Sequence, residues 1–164
     1  MLQLSFDTSF LISFADPNRP NHGVAVEYFR YCVAERVPMW ISTVAAGEFQ
    51  VRQSIYDLPL RNFRIQPYNL SHAIRAAALF NQLQNTSART EERRPIIIND
   101  LKIIAQAADD KIPFILTEDE NTLARMAAAL GDKRAISTSV FLLKDGFELK
   151  RTQHATQAEF GLPS

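Results

Sequence analysis

The feature that most constrains the fold of this chain is the regular alternation of short apolar runs with longer helical patterns. The β-type runs lie at residues 2–6 (LQLSF), 39–42 (MWIS), 62–68 (NFRIQPY) and 114–117 (FILT). Segments with helical spacing of apolar residues or with helix-capping signals lie at 24–33, 43–56, 70–83, 96–108 and 121–131. Such alternation favours a parallel sheet covered by helices on both faces. We therefore predict an α/β fold, in which ligands bind outside the carboxyl ends of the strands.

The length of 164 residues fits one compact domain. We assign residues 1–150 to that domain and residues 151–164 to a polar C-terminal tail. The polar stretch at 85–94 is predicted to be a mobile loop, and the Asp145-Gly146 pair predicts a hairpin turn. Asn121 is expected to cap the helix that ends at Gly131.

Composition excludes several classes of protein. Eighteen basic and eighteen acidic residues balance, so there is no overall attraction to nucleic acid or to anionic membranes. The single cysteine, Cys32, excludes an intrachain disulfide and a cysteine-rich metal site. It fits a reducing compartment, so we expect a cytoplasmic location. No apolar run is long enough for a bilayer, and we expect no membrane partner.

Two other kinds of site find little support. The five glycines do not cluster into a phosphate-binding loop, which disfavours nucleotide-dependent enzymes. His22, His72 and His154 are far apart and show no metal-ligand spacing, so we predict that all three lie on the surface or in loops.

Acidic residues follow two of the predicted strands. Asp7 comes directly after the first strand, and Asp119 follows the FILT strand. Because the carboxyl ends of parallel strands meet at one edge of a sheet, we expect both side chains to face the same crevice.

Two further acids interrupt apolar helical stripes. Glu48 lies between Val44 and Val51, and Asp100 repeats the pattern after Ile97. An ionised carboxylate on a buried face is costly unless it is paired with a cation or binds a metal. Oxygen ligands of this kind suit Mg²⁺ or Mn²⁺ better than zinc.

Each acid alone has a simpler interpretation. Asp7 or Asp119 alone is more often a helix cap than a ligand. Glu48 alone fits a flanking residue paired with Arg52, and Asp100 alone fits the N-cap of a helix that begins at Leu101. Chance convergence of all four is harder to explain, so the set favours a site.

The order and spacing of these residues resemble the PIN domain. The matching segments are Asp7-Thr8-Ser9, Ser42-Thr43 with Glu48, Asp100 within NDLKIIAQA, and Thr117-Glu118-Asp119. The resemblance covers residues 2–139. It implies a five-stranded parallel sheet in a three-layer α/β/α sandwich, and a metal-dependent ribonuclease that uses Mg²⁺ or Mn²⁺ to hydrolyse RNA.

The resemblance also implies residue roles. Carried over position by position, the catalytic and metal-binding quartet is Asp7, Glu48, Asp100 and Asp119. The supporting hydroxyl groups are those of Thr8, Ser9 and Thr117.

Many stand-alone chains of the family are VapC-type toxins, which implies an antitoxin partner. We also expect a homodimer, formed through the helix at 74–83 or the one at 123–130. The basic clusters available to RNA are Arg61 with Arg64, Arg89 with Arg93 and Arg94, and Lys133 with Arg134.

Rival enzymes fit less well. A haloacid-dehalogenase-like phosphotransferase needs a second aspartate where this chain has Ser9, and a Toprim-like site needs a glutamate after its first strand. The remaining alternative is a catalytically silent PIN-like module that binds RNA or protein. Tight binding of Mn²⁺ would separate the enzyme from this module.

Overall fold

The computed structural model describes residues 1–83 and 94–149, with burial and side-chain contacts from residue 97 onward in the second segment. The predicted loop at 85–94 lies outside these residues, except for Arg94, which begins a helix. The predicted tail at 151–164 also lies outside them.

The centre of the fold is a five-stranded sheet in which every pair of neighbouring strands is parallel. The strands are β1 (Leu4–Phe6), β2 (Met39–Ser42), β3 (Arg64–Gln66), β4 (Phe114–Thr117) and β5 (Ser139–Leu142). Their order across the sheet is β3-β2-β1-β4-β5. This arrangement confirms the predicted parallel sheet and places β1 and β4 side by side.

In the described part of the chain, six α-helices cover the sheet in the three-layer α/β/α arrangement that the sequence predicts. They are α1 (Thr8–Ala15), α2 (His22–Ala34), α3 (Thr43–Arg52), α4 (Leu70–Leu83), α5 (Arg94–Asp109) and α6 (Arg125–Asp132). Among the described residues, no helix is long and apolar enough to cross a bilayer.

The core lies where the central strands meet the helices. Leu4 and Phe6 of β1, and Ile115 and Leu116 of β4, are completely buried. The ring of Phe6 packs against that of Phe10, with 4.3 Å between the ring centroids. Each such side chain contributes about 1.5–3 kcal/mol when fully buried. This core holds the carboxyl ends of β1 and β4 in a defined place.

Near the chain ends, one helix was not predicted and one predicted turn is wrong. The segment after Asp7 forms α1, although its sequence (TSFLISFA) has no polar face that would indicate a helix. The Asp145-Gly146 hairpin is wrong, because β5 pairs in parallel with β4 and is followed by a 3-10 turn at Leu143–Asp145. Gly146 ends that turn with φ 81°, a left-handed conformation that glycine adopts without steric cost.

Candidate active site

The four acids singled out in the sequence line one cavity. Asp7 follows β1 and Asp119 follows β4, while α3 and α5 supply Glu48 and Asp100. The cavity has a volume of about 280 Å³. The residues that line it are Asp7, Thr8, Ser9, Ile12, Glu48, Arg52, Asp100 and Asp119. The fold thus brings the quartet together at the carboxyl edge of the sheet.

Asp7 is both a helix cap and a member of the cavity. Its Oδ1 accepts a hydrogen bond from the backbone N–H of Phe10 at 2.9 Å, which caps α1. Its Oδ2 accepts from the hydroxyl of Thr117 at 2.6 Å, and Ser9 donates to the same carboxylate at 2.9 Å. Burial raises the pKa of Asp7 from 3.8 to about 6, against the lowering effect of these hydrogen bonds. Asp7 therefore both caps α1 and lines the cavity.

Thr122 connects the other two aspartates. Its hydroxyl lies 2.7 Å from Asp100 Oδ2 and also contacts Asp119 Oδ2. Its backbone N–H donates to Asp119 Oδ1 at 2.8 Å. A hydroxyl carries one hydrogen, so it donates to one carboxylate at a time. Burial, and then the charges of the neighbouring acids, raise the pKa of Asp100 from 3.8 to about 7.

Glu48 is held by neutral donors. The hydroxyl of Thr8 donates to Oε2, and the side-chain amide of Asn99 donates to Oε1 at 2.8 Å. Within the described residues, Arg52 forms no ion pair with Glu48 inside 4.0 Å. The alternative interpretation of Glu48 as the partner of Arg52 is therefore wrong.

The predicted apolar stripe on α3 is only partly right. Val51 is 86% exposed, and the helix buries Ala45 and Phe49 instead. Glu48 is half-buried beside Phe49, at the border of the buried face. The placement in the cavity was correct, but the stripe from which it was derived was not.

The stripe on α5 is confirmed. Ile97 and Ile104 are buried on either side of Asp100, which is itself 8% exposed. Asp100 lies well inside α5, which begins at Arg94. It is therefore not the N-cap of a helix that starts at Leu101.

The family model for the PIN domain matches residues 5–129, which is well over half of the 164 residues. The chain belongs to the PIN domain family. This confirms the resemblance drawn from the sequence. The search of curated proteins found no significant match.

Solved structures with the same fold include VapBC and VapC proteins. VapBC2 from Rickettsia felis, bound to a DNA fragment of its promoter, is 11% identical, with a TM-score of 0.59, and the match covers 86% of this chain and 98% of that one. DNA-bound VapBC from Salmonella typhimurium is 15% identical, with a TM-score of 0.55 and coverages of 87% and 99%. VapC20 from Mycobacterium tuberculosis, described as a sarcin-ricin loop cleaving toxin, is 17% identical, with a TM-score of 0.53 and coverages of 77% and 95%. At these identities the likeness shows the fold.

This PIN domain contains two site residues that the sequence did not reveal, Thr122 and Asn99. A π-helical segment, Glu120–Ala124, follows Asp119 and places Thr122 against two carboxylates. The hydrogen bond that makes this segment π-helical runs from the backbone N–H of Ala124 to the carbonyl of Asp119, at 3.1 Å. Asp119 caps this segment, so the predicted Asn121 cap is wrong. A hydroxyl residue three positions after a capping aspartate was the available signal for Thr122.

The donor set of the quartet fits a hard divalent cation. The groups that face the cavity offer carboxylate and hydroxyl oxygens, which Mg²⁺ and Mn²⁺ prefer. Two of the carboxylates have raised pKa values, so an added positive charge would favour their ionised forms. In the described part of the chain, no three quartet residues bring ligand atoms within 4.8 Å of one another. Mg²⁺ keeps several of its waters when it binds protein, so it needs only one or two direct carboxylate ligands.

A second cluster, His72 with Asp109 and Asp110, brings three ligand atoms within 4.8 Å but has a different explanation. His72 is 2% exposed, so its predicted surface position is wrong. Its Nδ1 accepts from the backbone N–H of Asn69 at 3.2 Å, and Asn69 Oδ1 accepts from the N–H of His72, forming a capping box for α4. The ring proton therefore sits on Nε2, which lies 3.2 Å from Asp110. That proton occupies the position a metal would need, so the cluster is structural.

Proposed function

We propose that this chain is a metal-dependent endoribonuclease whose catalytic and metal-binding residues are Asp7, Glu48, Asp100 and Asp119. The observation that carries the proposal is the meeting of these four carboxylates on one cavity at the carboxyl edge of the sheet. Membership of the PIN domain family supports it.

The quartet would hold Mg²⁺ or Mn²⁺. When bound, such an ion supplies positive charge to the scissile phosphate and lowers the pKa of a water molecule. The protein then needs no nucleophilic side chain, and the expected products carry a 5′-phosphate and a 3′-hydroxyl.

Hydroxyl groups of the chain orient the carboxylates. Ser9 and Thr117 hold Asp7, and Thr8 holds Glu48, each by donating a hydroxyl hydrogen. Burial is the main cause of the raised pKa values of Asp7 and Asp100, and the positive charge of a bound ion would favour the ionised forms of both. Preorganised ligands of this kind avoid the free-energy cost of reorganisation during the reaction.

We propose further that the chain is the toxin of a toxin–antitoxin pair, acting in the cytoplasm and inhibited by a partner protein. The likeness to two VapBC complexes supports this assignment.

For a homodimer we favour α4 over α6. Leu70 and Ile74 lie one turn apart on α4 and are 75% and 64% exposed. On the other candidate segment, Leu123 and Leu130 are completely buried. An apolar face that water contacts is the one that a partner subunit would cover.

Cleavage of a mixed pool of structured RNAs tests the proposal. We expect cutting with Mn²⁺ or Mg²⁺, none with excess EDTA, and none by Asp100→Asn. Calorimetric titration with Mn²⁺ accompanies the assay. Absence of both cutting and Mn²⁺ binding would reject the nuclease and favour the silent binding module. Binding without cutting would leave the metal site standing and show that the RNA pool lacks the substrate.

A further inference from the structure

We propose that Arg52 is a substrate-binding residue, whose guanidinium group holds an RNA phosphate beside the scissile bond. The inference rests on the proposed nuclease function and assigns to this cavity a role that the acidic quartet does not fill.

Of the described residues that line the cavity, Arg52 is the one that is basic. It is the last residue of α3 and lies one helical turn after Glu48, so it stands on the same wall as that carboxylate. Its side chain is exposed and open to a ligand that approaches from solvent.

Within residues 1–83 and 94–149, no structural contact occupies the guanidinium group of Arg52. Both carboxylate oxygens of Glu48 already accept hydrogen bonds, one from Thr8 and one from Asn99. In the described part of the chain, Arg52 has no hydrogen bond or ion pair. Basic residues near the acids elsewhere are paired, as Arg19 is with Glu118 and Lys144 with Glu120.

The charge of the cavity explains why a cation is needed there. Four carboxylates repel a polyanionic substrate, and only the part of that charge opposite a bound metal ion is neutralised. A guanidinium group donates two parallel hydrogen bonds to a phosphate, which fixes its orientation as well as its position. An arginine on the rim therefore binds the backbone on one side of the bond to be cut.

If Arg52 binds substrate in this way, its removal should affect KM more than kcat. Arg52→Ala in the full-length chain should raise KM for RNA cleavage at least about tenfold, corresponding to the loss of a charge-assisted hydrogen bond, and leave kcat within about threefold. Arg52→Lys should lie between wild type and Arg52→Ala, because a lysine restores the charge without the two-pronged geometry. Affinity for Mn²⁺, measured by calorimetry, should be unchanged or tighter, since a nearby positive charge is removed.

Arg30→Ala is the matched control. Arg30 is an exposed arginine on α2 that does not line the cavity, so the variant loses the same charge at another place. Equal increases of KM in Arg30→Ala and Arg52→Ala would show that the loss of net charge causes the increase, which would overturn the inference. A fall in kcat together with weaker Mn²⁺ binding in Arg52→Ala would show that Arg52 positions Glu48. That result would also overturn the inference.

A binding measurement separates this inference from the nuclease proposal. Fluorescence anisotropy with a short labelled single-stranded RNA of mixed sequence, in Ca²⁺ or in EDTA, needs no turnover. If wild type neither cuts RNA nor binds Mn²⁺, the nuclease proposal fails, but weaker RNA binding by Arg52→Ala than by Arg30→Ala still supports Arg52 as a phosphate-binding residue. Equal RNA binding by both variants rejects the inference whatever the outcome of the cleavage assay.

Discussion

Asp7 shows that one carboxylate caps a helix and lines a cavity at the same time. Its Oδ1 satisfies the N–H of Phe10 at the start of α1, while Oδ2 receives the hydroxyl of Thr117 inside the protein. The position after a parallel strand makes this possible, because the helix that follows begins at the sheet edge where ligands bind. A cap signal in such a position is therefore no argument against catalysis.

Asp7→Asn should abolish cleavage and leave the metal-free protein as stable as wild type or more stable. Asparagine still caps α1, and the neutral amide removes a buried charge that repels Asp119. Thermal unfolding in EDTA, with cleavage measured in Mn²⁺, tests both parts. Asp7→Ala is the reference, and it should lose about 0.5–2 kcal/mol because it also removes the cap. A large loss of stability in Asp7→Asn would show that the charge of Asp7 stabilises the fold.

Thr122 is the residue on which the positions of two aspartates depend. Thr122→Val keeps the shape and the backbone N–H bond to Asp119 but removes the hydroxyl that contacts Asp100 and Asp119. We expect weaker Mn²⁺ binding and a loss of activity of roughly tenfold or more, as for other residues that orient metal ligands. Cleavage kinetics and calorimetry measure these effects.

Thr138→Val is the control for that variant. The hydroxyl of Thr138 donates to the backbone carbonyl of Ile112 at 2.9 Å, in a buried place outside the cavity. The Thr138→Val variant should lose about 1 kcal/mol of unfolding free energy and keep its activity. Matching losses of activity in the two variants would mean that general destabilisation, and not ligand orientation, is responsible.

At the scale of elements, α1 is the helix that sequence periodicity did not reveal. Its core-facing side contributes Phe10 and Leu11, both completely buried, and Ile12 and Phe14 are partly covered as well. A helix that is apolar on nearly every side shows no helical stripe and is hard to distinguish from a buried strand. The cap at Asp7 was the one local sign of it.

The beginning of α4 depends on His72 in place of the usual acidic partner of a capping box. His72→Ala should destabilise the protein by about 1–2 kcal/mol, from the lost cap and the cavity left behind. Chemical denaturation measures this loss. Excess Zn²⁺ should not raise the melting temperature of wild type through this cluster, since Nδ1 is committed as an acceptor. Stabilisation by Zn²⁺ that disappears in His72→Ala would contradict the structural assignment.

At the scale of the whole molecule, the quartet sets how stability depends on pH. Asp7 and Asp100 have folded-state pKa values of about 6 and about 7, above their ordinary value of 3.8. Between about pH 4 and 7 the folded state therefore binds more protons than the unfolded state, and stability falls as pH rises. For Asp7 alone, the free energy of unfolding falls by an amount on the order of 3 kcal/mol across this pH range.

Urea unfolding in EDTA at pH 5 and at pH 7.5 measures this slope. We expect greater stability at the lower pH, a smaller difference in Asp100→Asn, and a difference reduced by Mn²⁺ in wild type. Metal-free stability that rises with pH would show that the two acids are ionised in the folded state with favourable partners.

The sequence by itself determined the parallel α/β sheet, the positions of Asp7 and Asp119 at its carboxyl edge, and the burial of Asp100. These follow from local patterns, because strand–helix alternation and the apolar neighbours of Asp100 on α5 report the burial of each segment directly. Only the tertiary structure decided which groups donate hydrogen bonds to each of the four carboxylates. Residues from different segments determine the contacts of Thr122 and Asn99 and the burial of His72. They also determine that Arg52 has no ion pair among the residues that the structure describes. Periodicity along one segment carries no information about such partners, since hydrogen bonds between distant residues depend on how the elements pack.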